Sequence, residues 1–287
     1  MKKILVTGGN GQLGSELRLL SANLNNLSFT FIDIEDLDLT RKDEVDTYFT
    51  QNQFDFIINC AAYTAVDKAE EEVSLAYKVN EEMAGCMAQK AKDQNATIIH
   101  VSTDFVFEGS LSRHLTETDE ANPVSIYGKS KLAGEQAVSA NCPQHFILRT
   151  SWLYSSFGSN FVKTILRLAE TRDQLGIVYD QVGTPTYAAD LAEAIIAIIE
   201  SGNTSFGLYH YSNEGVASWY DFTIAIADLF GLSTEVLPIL AVQYPLPAAR
   251  PSFSVMNKAK IKEAFDLGIP HWRTSLIKCK ERLLQQE

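Results

Sequence analysis

Short β-branched runs alternate with helical patterns over the first two-thirds of this 287-residue chain, and this alternation restricts the fold more than any other feature. It is typical of βαβ units, in which helices cross over a parallel sheet and cover both of its faces. We therefore predict an α/β fold with a doubly wound parallel sheet. The predicted strands are residues 3–7, 29–33, 54–59, 97–102, 145–150 and 176–179. The predicted crossover helices are residues 12–21, 42–51, 74–93, 127–140 and 160–170.

The pattern changes after Gln181, where proline-punctuated segments replace the regular alternation. Further helices are predicted at residues 188–200, 218–230 and 275–285, and a strand at residues 208–212. We interpret residues 1–180 as a Rossmann-type domain and residues 181–287 as a smaller C-terminal α/β substrate lobe, whose elements can interleave with the first domain. Ligands of such sheets lie beyond the carboxyl ends of the strands, so this lobe is expected to close over the site.

Charge and composition narrow the class of protein. Thirty-six acidic and twenty-four basic residues give a net charge of −12, and no basic stripe interrupts it, which argues against nucleic acid and anionic membranes as partners. The N-terminus has no signal-peptide core, and no run reaches the roughly 18 apolar residues of a membrane span. Four scattered cysteines without a Cys-x-x-Cys pair give no metal or redox signature. We expect a cytoplasmic protein with reduced thiols.

A glycine-rich turn follows the first predicted strand and opens the first helix. Gly8, Gly11 and Gly14 fall at Gly-x-x-Gly-x-x-Gly spacing, and the same segment fits the Gly-x-Gly-x-x-Gly frame. A tight turn and a close backbone approach to a diphosphate require glycines there. The amides at the helix N-terminus stabilise the negative charge of that diphosphate. An ordinary glycine hairpin is the alternative, which the preceding strand and following helix disfavour. We predict that the first domain binds a dinucleotide through this turn.

Asp33 closes the second predicted strand, 25 residues after Gly8. A carboxylate there can accept hydrogen bonds from the adenosine ribose, which would favour NADH over NADPH. The alternative is an aspartate that only caps a turn, since three more acidic residues crowd the same loop. The nearest arginine that could meet a 2′-phosphate is Arg41, so the sequence leaves the choice between NADPH and NADH open.

Tyr127 and Lys131 lie at i and i+4 of the fourth crossover helix and so share one of its faces. Taken alone, such a pair is more often a solvated pair on a helix surface. Thr103, however, lies at the carboxyl end of the fourth strand, where the nicotinamide half of a dinucleotide is expected. Strand end and helix start can therefore converge, which makes Thr103, Tyr127 and Lys131 the catalytic candidates.

The chemistry of ketone reduction suits these three side chains. Hydride transfer builds negative charge on the carbonyl oxygen, which requires a proton donor and hydrogen-bond support. A phenol with an ordinary pKa of about 10 is a weak acid. We predict that the Lys131 ammonium stabilises the phenolate of Tyr127 and holds the nicotinamide ribose, and that Thr103 donates to the substrate oxygen.

These motifs resemble those of the extended short-chain dehydrogenase/reductase superfamily. Four segments are also similar to the dTDP-4-dehydrorhamnose reductase family, namely residues 59–70 (NCAAYTAVDKAE), 102–107 (STDFVF), 127–135 (YGKSKLAGE) and 149–154 (RTSWLY). The likeness runs from Lys2 to about Glu281 and weakens after Gln181, although Arg250-Pro251 resembles the family's C-terminal motif.

The resemblance implies reduction of a dTDP-linked 4-keto sugar, dTDP-4-dehydro-β-L-rhamnose, to dTDP-L-rhamnose with NADPH or NADH, the last step in making that sugar donor. It implies Tyr127 as the proton donor, with Lys131 beside it. In addition to those two, the residues expected to line the dinucleotide are Gly8, Gly11, Gln12, Leu13, Gly14, Asp33, Asp38, Leu39, Ala61, Ala62, Tyr63 and Thr64. The residues expected to face the sugar nucleotide are Val66, Thr103, Asp104, Phe105, Trp152 and Arg250.

Three of these residues have plainer interpretations. Trp152 can be a core aromatic under the C-terminal lobe, and Asp104 can merely cap a turn. Arg250 is either a surface arginine or, beside Pro251, a bidentate ligand of a diphosphate.

Phe105 separates the chain from sugar-nucleotide dehydratases, which carry Thr-Asp-Glu where this chain has Thr103-Asp104-Phe105. Water elimination needs that additional acid–base group, and a phenyl ring cannot transfer protons. Two alternatives stay open, an epimerase that recycles NAD and a non-catalytic regulatory subunit similar to the methionine adenosyltransferase β subunit. Some members of the reductase family bind Mg²⁺ between subunits, but no complete ligand set can be placed in this sequence. A homodimer is compatible with the sequence, which does not fix the oligomeric state.

Overall fold

Residues 1–285 of the chain are described in a computed structural model. The strands are β1 (Lys2–Thr7), β2 (Leu27–Ile32), β3 (Phe56–Asn59), β4 (Thr97–Thr103), β5 (His145–Thr150), β6 (Leu153–Tyr154), β7 (Gln174–Val178), β8 (Val182–Gly183), β9 (Thr186–Tyr187), β10 (Gly207–His210), β11 (Ala217–Ser218) and β12 (Glu235–Ile239). The α-helices are α1 (Gln12–Ser21), α2 (Lys42–Gln51), α3 (Val66–Ala69), α4 (Val73–Tyr77), α5 (Ala84–Asp93), α6 (Ile126–Asn141), α7 (Phe161–Ala169), α8 (Ala188–Ser201), α9 (Trp219–Phe230), α10 (Ala259–Phe265) and α11 (Trp272–Leu284). A π-helical turn covers Lys78–Met83, and 3₁₀ turns cover Asp104–Val106 and Ala241–Gln243.

Six parallel strands form the central sheet in the order β10-β5-β4-β3-β1-β2. Ile4 and Val6 of β1 pack with α1 and α8 on one face, whereas Leu5 packs with α2, α5 and α6 on the other. A strand covered on both faces needs apolar side chains on both, which is why this run is continuously apolar rather than alternating. The predicted α/β fold with a doubly wound parallel sheet is confirmed.

The sixth strand of the sheet is not the predicted one. We predicted residues 176–179, but β7 pairs with β12 in a separate two-stranded sheet. The sixth place is taken by β10, where Leu208 lies beside Ile147 of β5. This strand overlaps residues 208–212, which we had predicted as part of the C-terminal lobe. A short apolar run indicates a strand but not its partner, because pairing depends on contacts between distant parts of the chain.

The predicted helices occur with one interruption. Helices α1 and α2 begin and end at the predicted residues, but the helix predicted over residues 74–93 is divided into α4, the π-helical turn and α5. Helices α3 and α10, of four and seven residues, were not predicted. Helices this short span too few turns to produce a recognisable 3.6-residue period.

Parts of the chain beyond residue 180 contribute to the central sheet and its cover, since β10 joins β5 and α8 packs on α1. The division into domains of residues 1–180 and 181–287 stays a prediction, and residues 286 and 287 lie outside the described range. Within residues 1–285, no helix combines the length and the apolar character that crossing a bilayer requires.

Candidate active site

A cleft of about 1040 Å³ opens where β1, β3, β4 and β5 end at their carboxyl edge. This is the edge at which doubly wound sheets bind their ligands. All the residues that the sequence suggested line this cleft, namely Gly8, Gly11, Gln12, Leu13, Gly14, Asp33, Asp38, Leu39, Ala61, Ala62, Tyr63, Thr64, Val66, Thr103, Asp104, Phe105, Tyr127, Lys131, Trp152 and Arg250. The structure thus brings the whole set together, while the role of each residue stays a prediction.

The glycine turn forms one end of the cleft. Gly8 has a φ of +65°, and a Cβ there would lie 2.8 Å from the backbone nitrogen of Ala61. A Cβ on Gly14 would collide with the main chain of Gly8 and Gly9. Within residues 1–285, no side chain caps the start of α1 at Gly11, and the first residues of that helix line the cleft, so their amides are available to a ligand there. These features fit the diphosphate of a dinucleotide.

Asp33 lies directly after β2, which ends at Ile32, so it does not close the strand as predicted. Its carboxylate accepts hydrogen bonds from the backbone nitrogens of Asn10 and Ile34, each at 2.8 Å. The first bond fixes the glycine turn relative to the end of β2, and the second stays within the loop of Asp33 itself. Each oxygen keeps a further lone pair that could accept from a ribose hydroxyl.

The loop after β3 is held by a residue that the sequence did not suggest. Asn80, buried in the π-helical turn, accepts from the Tyr63 backbone nitrogen at 2.9 Å and donates to the Tyr63 carbonyl at 3.1 Å. The Asn80 side-chain amide also donates to the hydroxyl of Ser130 at 2.9 Å. Ser130 lies on α6, the helix that carries Tyr127. In the sequence Asn80 is one of several polar residues of the helix predicted over residues 74–93, so nothing local distinguished it. The π-helical turn is the signal that the structure adds, since such turns are frequent at functional sites.

Local structure places the catalytic candidates side by side. Thr103, the last residue of β4, accepts from the Phe105 backbone nitrogen and donates to Asp104, both at 3.2 Å. Thr103 therefore caps the 3₁₀ turn. Helix α6 begins at a Ser125 cap and has Tyr127 in its first turn. The ring of Tyr127 lies edge-on to the ring of Phe105, with the two ring centroids 5.4 Å apart.

The expected acidification of Tyr127 by Lys131 is contradicted. Burial raises the pKa of Tyr127 to about 12, with Asp104 adding to the rise and the Thr103 hydroxyl opposing it. The Lys131 ammonium instead donates to the Val101 carbonyl at 2.7 Å. Burial outweighs the expected effect because a phenolate loses hydration there, and no neighbouring cation is directed at its oxygen within residues 1–285.

Two further groups in the cleft have pKa values that burial moves towards neutrality. Burial lowers the pKa of Lys131 to about 8, against the opposing charge of Glu135. Burial also raises the pKa of Asp104 to about 6, although Ser254 and Thr103 stabilise its carboxylate. Clustered perturbed groups of this kind are typical of catalytic sites.

Arg250 reaches the rim of the cleft from the C-terminal part of the chain. Its guanidinium binds Asp67 of α3 through two nitrogens, at 2.9 and 3.1 Å, and donates to the Ala248 carbonyl at 2.8 Å. It is therefore not a plain surface arginine. The sequence missed Asp67, because only the folded chain brings residues 67 and 250 together.

The lining of the cleft includes an aromatic pair. Trp152 is stacked on Trp219, which the sequence did not suggest, with ring centroids 3.5 Å apart. Asn160, at the start of α7, also lines the cleft. Across residues 1–285, no three His, Cys, Asp or Glu side chains are grouped so that they could hold a metal ion.

A doubly wound sheet with a glycine cradle at α1 and a Thr–Tyr–Lys set beside it defines a nicotinamide-dependent oxidoreductase of the short-chain class. The family described as the RmlD substrate binding domain matches residues 1–285, and the chain belongs to that family.

Relatives and solved structures agree with this assignment over nearly their full lengths. The chain is 42% identical to the dTDP-4-dehydrorhamnose reductase of Aggregatibacter actinomycetemcomitans, over 96% of this chain and 97% of the relative. A crystal structure of a dTDP-4-dehydrorhamnose reductase from Clostridium acetobutylicum aligns with a TM-score of 0.94 at 41% identity, over 98% of this chain and 99% of that one. The Bacillus anthracis dTDP-4-dehydrorhamnose reductase in complex with NADP aligns with a TM-score of 0.93 at 36% identity, over 100% of this chain and 99% of that one.

Proposed function

We propose that the protein reduces dTDP-4-dehydro-β-L-rhamnose to dTDP-L-rhamnose. The observation that carries the proposal is the convergence of the glycine cradle with Thr103, Tyr127 and Lys131 in one cleft. The names of the relatives supply the substrate, and the identity of about 40% over nearly the whole chain supports its transfer.

We propose NADPH as a cofactor, with NADH as the other dinucleotide to be tested. The relative from Bacillus anthracis was solved with NADP. The negative charge of Asp33 disfavours a 2′-phosphate. Arg41 already forms ion pairs with Glu44 at 2.8 Å and with Asp38 at 3.3 Å. A 2′-phosphate would therefore have to compete with these two carboxylates for Arg41.

The proposed mechanism assigns one task to each catalytic side chain. A bound NADPH supplies the hydride to the carbonyl carbon. With a pKa of about 12, Tyr127 carries its proton at neutral pH and can give it to the developing alkoxide, which is a stronger base than the phenolate. The Thr103 hydroxyl turns its one proton from Asp104 to the same oxygen, and Lys131 contributes positive charge one helical turn away.

We also propose a cytoplasmic location. All four cysteines, Cys60, Cys86, Cys142 and Cys279, lie within the described residues and are free thiols. Burial raises the pKa of each, which keeps them protonated and unreactive. Such thiols suit a reducing compartment. A homodimer stays a prediction.

The test of this function is coupled synthesis. dTDP-glucose is supplied with an upstream dehydratase and epimerase, and the purified protein with NADPH or NADH is added last. We expect stoichiometric loss of NADPH absorbance and formation of dTDP-L-rhamnose. Conversion of the keto sugar without added dinucleotide would indicate an epimerase instead. Dinucleotide binding by calorimetry without turnover would indicate a regulatory subunit.

The pH dependence of kcat/KM should reflect the loss of the proton from Lys131. Since burial lowers the pKa of Lys131 to about 8, its charge is present below that pH and lost above it. We expect kcat/KM to fall by about tenfold per pH unit above about 8, while Tyr127 stays protonated throughout that range. In Lys131→Arg, the guanidinium stays charged, so this decline should disappear even though the rate is lower. A decline that persists unchanged in the arginine variant would assign the titration to another group.

A further inference from the structure

The stacking of Trp152 on Trp219 is unusually close. The ring centroids lie 3.5 Å apart and the planes are 5° from parallel. Aromatic pairs normally prefer offset or edge-on arrangements with centroids about 4.5–7 Å apart, because the faces of two π systems repel each other. A face-to-face pair therefore has to be imposed by the surrounding chain.

The main chain around Trp152 provides that constraint. Trp152 has a φ of +47°, a conformation that a bulky residue rarely adopts. The Ser151 hydroxyl donates to the Thr184 carbonyl at 2.7 Å, and the Thr186 backbone nitrogen donates to the Trp152 carbonyl at 3.1 Å. Bonds on both sides of the tryptophan thus hold its backbone in this strained conformation.

Gly183 allows the indole to take this position. A Cβ on Gly183 would lie 2.7 Å from Cε2 of Trp152 and 2.8 Å from its Nε1. Gly183 belongs to β8, which pairs antiparallel with β11, so its backbone cannot retreat easily. Any larger residue at position 183 would push the indole out of its place.

Trp219 is fixed just as firmly on its own side. It is the first residue of α9, whose start is closed by reciprocal hydrogen bonds between Ser218 and Asp221. Phe161 packs against its ring at a centroid distance of 4.6 Å. Trp219 is therefore a rigid support on which the Trp152 indole rests.

The sheet register relates this pair to the catalytic candidates. Thr150, at the end of β5, lies directly beside Thr103 in the register of the two strands. Trp152 follows two residues later and lines the same cleft as Thr103, which places its indole on the wall beside the proposed position of the keto sugar.

We infer that Trp219 and Gly183 are positioning residues, which hold the Trp152 indole as a fixed wall against the sugar ring and so determine affinity for the sugar but not for the dinucleotide. The inference rests on the proposed function in one respect, that the sugar binds on the Trp152 side of the cleft. An apolar, rigid wall at this place favours the carbon-bearing face of a deoxy sugar and excludes water from the reacting carbonyl.

The test compares Trp219→Ala, Trp219→Phe, Gly183→Ala and Trp152→Phe with the wild type. Calorimetry measures binding of dTDP-L-rhamnose, of dTDP and of NADPH, so that no readout depends on turnover. We expect Trp219→Ala and Gly183→Ala to lower the affinity for dTDP-L-rhamnose by about tenfold. The affinities for dTDP and for NADPH should change by less than about twofold. Trp219→Phe, which keeps an aromatic support, should be intermediate.

Circular dichroism reports the stack itself. Two stacked indoles whose long axes are rotated relative to each other give an exciton couplet, which should be present in the wild type and absent when either Trp152 or Trp219 is replaced. Trp272→Phe is the matched control, since the chain has three tryptophans and Trp272 lies outside the cleft lining. This variant should keep both the couplet and the affinity for dTDP-L-rhamnose.

The outcomes separate the inference from the proposed function. Loss of the couplet in Trp219→Ala with unchanged affinity for dTDP-L-rhamnose overturns the inference. Equal weakening of dTDP and dTDP-L-rhamnose also overturns it, because the pair would then support the nucleotide or the fold. Tight dTDP-L-rhamnose binding by a wild type that does not reduce the keto sugar would overturn the proposed function and leave the role of Trp219 standing.

Discussion

Replacing Tyr127 by phenylalanine should lower kcat by about a thousandfold, the usual range for loss of a general acid being about 10²–10⁴. The phenyl ring keeps the edge-on contact with Phe105 and removes only the hydroxyl. Because the alkoxide that forms during hydride transfer then lacks its proton donor, the loss should fall on kcat. NADPH affinity, measured by calorimetry, should change by less than about threefold.

The matched control for this variant is Tyr179→Phe, which removes a hydroxyl from a half-exposed tyrosine outside the cleft lining. Its kcat should equal that of the wild type. Thermal unfolding of both variants shows whether the fold is intact. A Tyr127→Phe enzyme that keeps more than about a tenth of wild-type kcat would assign the proton to another group, with Asp104 the first to test.

Replacing Arg149 by methionine should lower the free energy of unfolding by about 3–5 kcal/mol. Arg149 of β5 binds Glu135 of α6 through two nitrogens, at 2.7 and 2.8 Å, and both side chains are at least 94% buried. The Ser102 hydroxyl donates to the same carboxylate at 2.5 Å. Without the guanidinium, a buried carboxylate one turn beyond Lys131 loses its counter-ion.

The double variant Glu135→Leu with Arg149→Met separates loss of packing from loss of charge. Removing both partners leaves no unpaired buried charge, so it should recover more than half of the lost stability. Urea unfolding followed by circular dichroism measures all three proteins. A single Arg149→Met variant within about 1 kcal/mol of wild type would mean that water reaches the pair, contrary to its burial.

Features with a local cause could be predicted from the sequence. The bounds of α1, α2 and β5 were correct because the glycine turn before α1 and the apolar patterns of all three elements lie within a few consecutive residues. The predicted site residues lie in one cleft because a parallel sheet brings all its carboxyl ends to one edge.

Features that depend on distant contacts could not be predicted. Trp219 meets Trp152 and Asp67 meets Arg250 only once β8, β11 and α3 are in place, and no local pattern indicates such pairs. The raised pKa of Tyr127 was missed for a similar reason. Its direction follows from burial and from where the Lys131 ammonium points, and spacing along a helix indicates neither.

The central sheet includes β10, which comes from the part of the chain beyond residue 180. This limits where the chain can be cut into separate fragments. A fragment ending near residue 180 would expose the hydrogen-bonding groups of β5 along a whole edge, because β10 normally pairs there. It would also uncover the side of α1 on which α8 packs. Open edges beside apolar surface favour aggregation, so truncation at that point is not a route to a free-standing nucleotide-binding module.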